Sequence, residues 1–115
     1  MNKFEQSLVA YIKGVQERVN SYYADHLTNL VPSLIQIDGG RKYVKITQSS
    51  DGGQGQKSVH SFISSVDDPK KGIREGDILK PASWSAPAKH SRGSIYSDQN
   101  GLEAINAHGT GVKYL

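Results

Sequence analysis

The sequence predicts a small α+β domain, in which an N-terminal amphipathic helix packs on a three- to four-stranded antiparallel meander. Two observations predict this class. Apolar residues first recur at three- and four-residue steps, and the pattern then changes to alternation interrupted by glycine-rich turns. The length of 115 residues fits a single domain, 1–115. We divide it into a helix at 1–30, a meander at 33–80, and an irregular basic segment with a docked tail at 81–115.

The helix is predicted from one apolar face. Asn2 is a good N-cap, and Glu5 follows it three residues later, as in a capping box. Pro32 and the polar Asn29 before it must end the element. The side chains that form the apolar face are Phe4, Leu8, Tyr11, Ile12, Val15, Val19, Tyr22 and Tyr23.

The meander is predicted from alternating runs and the turns between them. Residues 34–37 lead through Asp38-Gly39-Gly40 into a second run at 41–47, which is a hairpin pattern. A third run at 58–63 follows a polar, glycine-rich loop, and Gly76-Asp77 turns into a short strand at 78–80. Consecutive runs of this kind favour antiparallel neighbours in one sheet.

The C-terminal segment has a weaker pattern. Pro81 and Pro87, with small residues between them, predict an ordered irregular loop around Trp84. We expect a short strand within 93–97 and one or two helical turns within 102–107. The apolar end of the tail, at 112–115, is expected to dock on the core.

Charge is distributed unevenly along the chain. Residues 1–40 carry three basic and four acidic groups, a net charge of −1, whereas residues 41–115 carry eleven and seven, a net charge of +4. The excess is small, so its clustering matters more than its size. The absence of cysteine excludes disulfides, thiolate metal sites and cysteine nucleophiles.

Enzymatic patterns are absent or weak. No two of the four histidines have metal-site spacing, and His60, in the middle of a strand, is expected to be structural. The glycine-rich loop before Lys57-Ser58 resembles a phosphate loop in composition, but a strand pattern follows it where that motif needs a helix. Asp77 and Lys80 are three residues apart and fall on opposite strand faces. We therefore expect no catalytic residue, no metal and no cofactor.

The segment 76–93 is the most unusual part of the chain, because it sets the sole tryptophan among basic residues in a proline-containing frame. Aromatic faces stack on bases, and cationic side chains contact phosphates. Alternatively, Trp84 anchors a thin tail to the core and the nearby cations are merely solvated. The first interpretation predicts a ligand-binding surface formed by Lys80, Trp84, Lys89, His90 and Arg92, extended by Tyr43 and Lys45 from one face of a strand.

The same segment resembles a motif of small proteins from tailed bacteriophages, which reads GDxxKPASWxxPAKHxRG. The chain carries this signature at 76–93, preceded by a KYxKI strand at 42–46 and an SVHxF strand at 58–62. The resemblance covers about residues 4–97 and departs in the loop 64–75, which is longer here. It implies a phage origin and little about chemistry.

Two functions from different classes remain open. The first is non-enzymatic binding of a phosphate-bearing ligand, either single-stranded nucleic acid or a nucleotide. The second is a protein-interaction module, either a virion component or an inhibitor of a host defence protein. In that case Tyr11, Tyr22 and Tyr23 on the helix pack against a partner or a second copy. We expect the cytoplasm of an infected bacterial host, or the virion, as the location. We expect no membrane partner, because no apolar run approaches about 20 residues.

Overall fold

The computed structural model describes residues 1–113 and shows one helix lying on one face of a five-stranded antiparallel sheet. The strands pair in chain order, so the sheet is a simple meander. The predicted α+β class is confirmed, with five strands instead of three to four. The elements are α1 (Lys3–His26), β1 (Leu34–Ile37), β2 (Tyr43–Ser49), β3 (Lys57–Ser64), β4 (Asp77–Pro81) and β5 (Pro87–Ser94).

Helix α1 begins as its sequence predicts. The Asn2 Oδ1 atom accepts a hydrogen bond from the backbone N–H of Glu5 at 2.9 Å, which satisfies one of the otherwise unpaired amides of the first turn. The helix ends at His26, earlier than the predicted boundary at residue 30, because Leu27 already leaves the helical region with φ −133° and ψ 50°. The one helix among residues 1–113 has no stretch long and apolar enough to cross a membrane.

The buried side of α1 packs on the sheet face that we call the helix face. The buried residues of α1 repeat at three- and four-residue steps, as one side of a helix requires. Burial here removes apolar surface from water at about 25 cal/mol per Å², so this layer supplies most of the hydrophobic stabilisation. The buried apolar side chains of the cluster include Leu8, Val15 and Val19 from α1 and Ile35, Ile46, Ile63 and Ile78 from β1 to β4.

Tyr11 is not available to a partner or a second copy, contrary to the expectation for a protein-interaction module. Its side chain is fully buried, and its hydroxyl forms a 2.8 Å hydrogen bond with the Ser61 hydroxyl of β3. Tyr11 lies between Leu8 and Val15 in the buried stripe, so it faces the core and offers no surface to a partner. Tyr22 and Tyr23, near the end of α1, are half-buried.

The fifth strand corrects the prediction of an irregular segment after residue 80. Pro81 is the last residue of β4, Pro87 is the first residue of β5, and the two are paired in the register. Proline is tolerated at strand ends, where its missing N–H removes no central ladder bond. The irregular part that joins the two strands is therefore only 82–86. The strand expected within 93–97 lies earlier, and a single 3₁₀ turn, Leu102–Ala104, lies in the region expected to be helical.

The expected docking of the tail falls partly outside the described residues. Val112 is buried in the helix-face cluster, and Ile105 forms an isolated bridge with it. The backbone N–H of Lys113 donates to Ala104 O at 2.8 Å. Residues 114 and 115 lie beyond the described part of the chain.

The opposite side of the sheet, which we call the open face, has a second and smaller core. Its buried residues are Phe62, Leu79 and Ile73, with Tyr43 and Val59 packed against them. Phe62 and Leu79 are register partners on β3 and β4, and each precedes or follows a helix-face isoleucine by one residue. Strand alternation thus divides one apolar run into two layers. The loop that carries Ile73 covers part of this face.

Candidate ligand-binding site

Trp84 lies at the tip of the β4–β5 hairpin. The tip is tight, because the backbone N–H groups of Ala82 and Ser83 both donate to Ala86 O, at 2.9 and 3.1 Å. The side chain of Trp84 is 50% exposed, and the Lys45 Nζ atom of β2 lies 4.2 Å from its ring centroid. The hairpin tip therefore folds over the open face. Trp84 is a surface residue supported by a lysine, and it is not the core anchor of the tail.

A concave surface adjoins this hairpin on the open face, with a volume of about 730 Å³. Its size falls within the range of about 300–1,000 Å³ that is usual for small-molecule sites. The lining contains three lysines and one histidine and no acidic residue. We call it the basic groove, and its lining residues are Tyr43, Lys70, Lys71, Ile73, Ser85, Ala86, Pro87, Ala88, Lys89 and His90.

Tyr43 forms part of the groove and is itself surrounded by cations. The Nζ atoms of Lys42 and Lys71 lie 5.6 and 6.0 Å from its ring centroid. Lys42 donates to Asp68 Oδ2 at 2.7 Å, and this hydrogen bond holds the pKa of the Asp68 carboxyl below its ordinary value. Lys42 is thus paired with Asp68, and of these two lysines only Lys71 lines the groove.

A smaller depression of about 310 Å³ lies on the other side of the hairpin tip. We call it the minor depression, and its lining includes Lys57, Val59 and the hairpin residues 81–84. Trp84 lines the minor depression and the next residue, Ser85, lines the basic groove, so the hairpin tip borders both concavities. Lys57 Nζ lies 3.7 Å from Asp38 Oδ1, an exposed pair of the kind that contributes little to stability.

Two of the residues predicted for the site lie elsewhere. Lys80 lies at a register shift in the ladder between β4 and β5, and it lines neither concavity. Arg92 donates from Nη1 to Lys113 O at 3.3 Å, and its Nε atom is buried with no hydrogen-bond partner in the part of the chain that the structure describes. Arg92 therefore helps to hold the tail against β5.

The structure brings the other five predicted residues together on the open face, and it adds cations that were not predicted for this surface. Lys70 and Lys71 lie in the 3₁₀ turn Pro69–Lys71, and Lys57 begins β3. All three occur in or beside polar loops, where lysine is normally just solvated, so their positions carry no signal in the sequence. The predicted residues on the open face are Tyr43, Lys45, Trp84, Lys89 and His90.

The resulting surface offers ring faces and positive charge to a ligand. Lysines and histidine neutralise phosphate oxygens, and exposed aromatic rings stack on planar bases. Within residues 1–113, no three histidine or acidic side chains converge in the manner of metal ligands.

Comparison with known proteins gives a family but no characterised relative. No curated protein and no solved structure matches the chain significantly. One family model matches residues 2–115, which is almost the entire sequence. With a match of that extent, the chain belongs to a family of unknown function, DUF7717.

Proposed function

We propose that this protein binds a phosphate-bearing ligand that also carries a planar base, either single-stranded nucleic acid or a nucleotide, without catalysing a reaction on it. The observation that supports this most directly is the half-exposed Trp84, which is supported by Lys45 and adjoins a groove of basic side chains. A base stacks on the free face of the indole, and its phosphates lie among the groove cations.

The stacking part of the proposal rests on preorganisation of the indole. The close contact of Lys45 with one face of the ring fixes its orientation at no cost to a ligand that binds the other face. Stacking of one base on an aromatic side chain contributes about 1–3 kcal/mol. An exposed tryptophan on a tight hairpin is thus well placed to supply that energy.

The electrostatic part rests on the local arrangement of charge. The net charge of the chain is only +3, so attraction of an anion depends on where the cations lie. Lys70, Lys71, Lys89 and His90 surround one concavity whose lining has no carboxylate. A phosphate in the groove therefore meets several donors and no repelling group from the lining.

Because residues 76–93 resemble a motif of phage proteins, we propose that this binding takes place during phage infection. A phage-encoded binding protein of this kind acts in the cytoplasm of the infected bacterial host or within the virion. The ligand is then phage or host nucleic acid, or a nucleotide of the infected cell.

The test is a titration of the wild-type protein with a fluorescein-labelled single-stranded oligonucleotide at low salt, followed by anisotropy. Trp84→Ala should weaken binding by about 5- to 150-fold, which corresponds to one lost stacking contact. Trp84→Phe should retain most of the affinity, because it keeps an aromatic face. Lys89→Ala should weaken binding, whereas Lys13→Ala, an exposed lysine on α1, is the matched control and should not.

Two results would count against the proposal. One is the absence of saturable binding of oligonucleotides and mononucleotides at low salt. The other is an equal loss from Lys13→Ala and Lys89→Ala, since that would show attraction to net charge and no site.

A protein-interaction module is the second candidate, favoured by a different surface. Val9 of α1 and Ile37 of β1 are each 48% exposed and border an apolar groove between the helix and the edge strand. Such a surface suits a virion component or an inhibitor of a host defence protein. A protein-like ratio of absorbance at 260 and 280 nm, with concentration-dependent association in sedimentation, would favour this candidate. A raised ratio would favour the bound nucleotide or nucleic acid.

A further inference from the structure

We infer that the ligand is a single-stranded polynucleotide that runs along the open face past both Trp84 and Tyr43. This inference rests on the proposed function and narrows it, because a mononucleotide and a duplex both fit the observations less well. Three features of the face support it: two aromatic rings, cations beyond each of them, and two concavities that the hairpin tip borders.

Tyr43 and the lysine that contacts Trp84 are neighbours along one strand. Tyr43 and Lys45 lie on the same face of β2, two residues and therefore about 7 Å apart along the strand. Lys45 in turn lies against the ring of Trp84. Tyr43 and Lys45, the lysine that contacts Trp84, are thus one two-residue repeat apart on β2.

The two aromatic rings favour a single strand over a duplex. Bases stacked in a duplex repeat at about 3.4 Å, and both faces of each base are covered by its neighbours. An aromatic ring of the protein can take a base on its face only if that base is unstacked from its neighbour, as bases are in single strands bound to aromatic platforms.

The cations favour a polymer over a mononucleotide. Lys57 lines the minor depression together with Trp84, whereas Lys70, Lys71 and Lys89 line the basic groove. One nucleotide can fill only one of these concavities. A strand that enters by Lys57, passes Trp84 and leaves through the groove brings phosphates to both groups of cations.

The experiment measures affinity as a function of ligand length, using unlabelled thymidine monophosphate and oligothymidylates of increasing length in competition with a labelled oligonucleotide. Affinity should rise by at least tenfold from the monophosphate to a strand that spans both rings, and then level off. Log affinity should fall with log salt concentration with a slope of about −3 for four phosphate contacts, at about −0.7 per contact. Oligouridylates and a duplex of equal length are run beside them.

Variants locate the strand on the face. Lys57→Ala should reduce the slope by about 0.7 for the long strand. Tyr43→Leu keeps apolar packing against Phe62 and Leu79 but removes the aromatic face. It should weaken the long strand by about 5- to 150-fold. Circular dichroism checks its folding, and Lys13→Ala again controls for loss of charge.

The outcomes separate this inference from the proposed function. If the monophosphate competes as well as the long strand, the inference is wrong and the proposed function stands. If the duplex binds more tightly than the single strand, both are wrong, because a duplex leaves no base face free to stack on Trp84. If neither the monophosphate nor any strand binds, both fail. If Lys57→Ala and Tyr43→Leu leave the long strand unaffected, the strand does not run along this face and the inference is overturned.

Discussion

Gly101 and Gly39 share a left-handed backbone conformation, with φ of +84° and +90°, but they differ in their surroundings. A Cβ atom on Gly101 would collide with Ile78 Cδ1 and lie 3.2 Å from Ser94 O, whereas a Cβ atom on Gly39 would meet nothing within 4 Å. Gly39→Ala should therefore cost only the backbone strain of about 1–2 kcal/mol. Gly101→Ala should cost about 1–3 kcal/mol more, because the core must shift. Urea denaturation of both variants measures the difference, and equal losses would contradict the packing argument.

The site residues show which contacts alternation could predict. The pair Tyr43 and Lys45 follows from strand periodicity alone, and the structure places both on the open face. Lys80 lies where the ladder between β4 and β5 shifts register, so alternation alone does not tell which strand face it occupies. Lys70 and Lys71 are different, because only the folding of their loop against residues 85–90 brings them into the groove.

At the scale of elements, Gln16 joins α1 to the edge strand β1. Its Nε2 atom donates to Ser33 O at 2.9 Å, and its Oε1 atom accepts from the backbone N–H of Ile35 at 2.8 Å. Gln16→Ala leaves both backbone groups without this partner, so it should lower the free energy of unfolding by about 1–3 kcal/mol. Amide exchange at Ile35 should also accelerate. Gln6→Ala, whose amide makes one exposed bond to Met1 O, is the control, and a similar loss in both variants would be the contrary result.

The elements themselves could largely be predicted from the sequence, and the exception has a physical cause. Helix α1 and strands β1 to β4 have the periodicity of half-buried elements, which is visible in the chain. Strand β5 is an edge strand of proline, small and polar residues with little apolar alternation, and its ladder to β4 contains register shifts. Strand β5 is defined by its backbone pairing with β4. Because its side chains do not alternate between apolar and polar, the sequence gives no pattern from which this strand could be predicted.

At the scale of the whole molecule, His60 links three parts of the chain through a buried set of hydrogen bonds. The register of β2 and β3 shifts at this point, so that His60 is an extra residue, and it turns inward beside Ser61. Its Nε2 atom lies 3.0 Å from Gly109 O, and because a carbonyl only accepts, Nε2 carries the proton. Nδ1 then accepts from the Ser61 hydroxyl at 2.9 Å, and Tyr11 donates to the same hydroxyl. Both ring nitrogens are satisfied, as the structural role predicted for His60 requires.

This arrangement predicts how stability depends on pH. Burial lowers the pKa of His60 from 6.5 to about 4, so between these values the unfolded chain binds a proton that the folded chain does not. Stability should therefore fall as the pH drops below 6.5, by about 3 kcal/mol in total, and this contribution should level off below pH 4. His60→Gln removes the titrating group and should flatten this part of the curve, whatever it costs at neutral pH. His90→Gln, at an exposed histidine, should retain the wild-type slope. Urea unfolding at a series of pH values measures all three curves. An unchanged slope in His60→Gln would show that protonation of His60 does not cause the loss of stability at low pH.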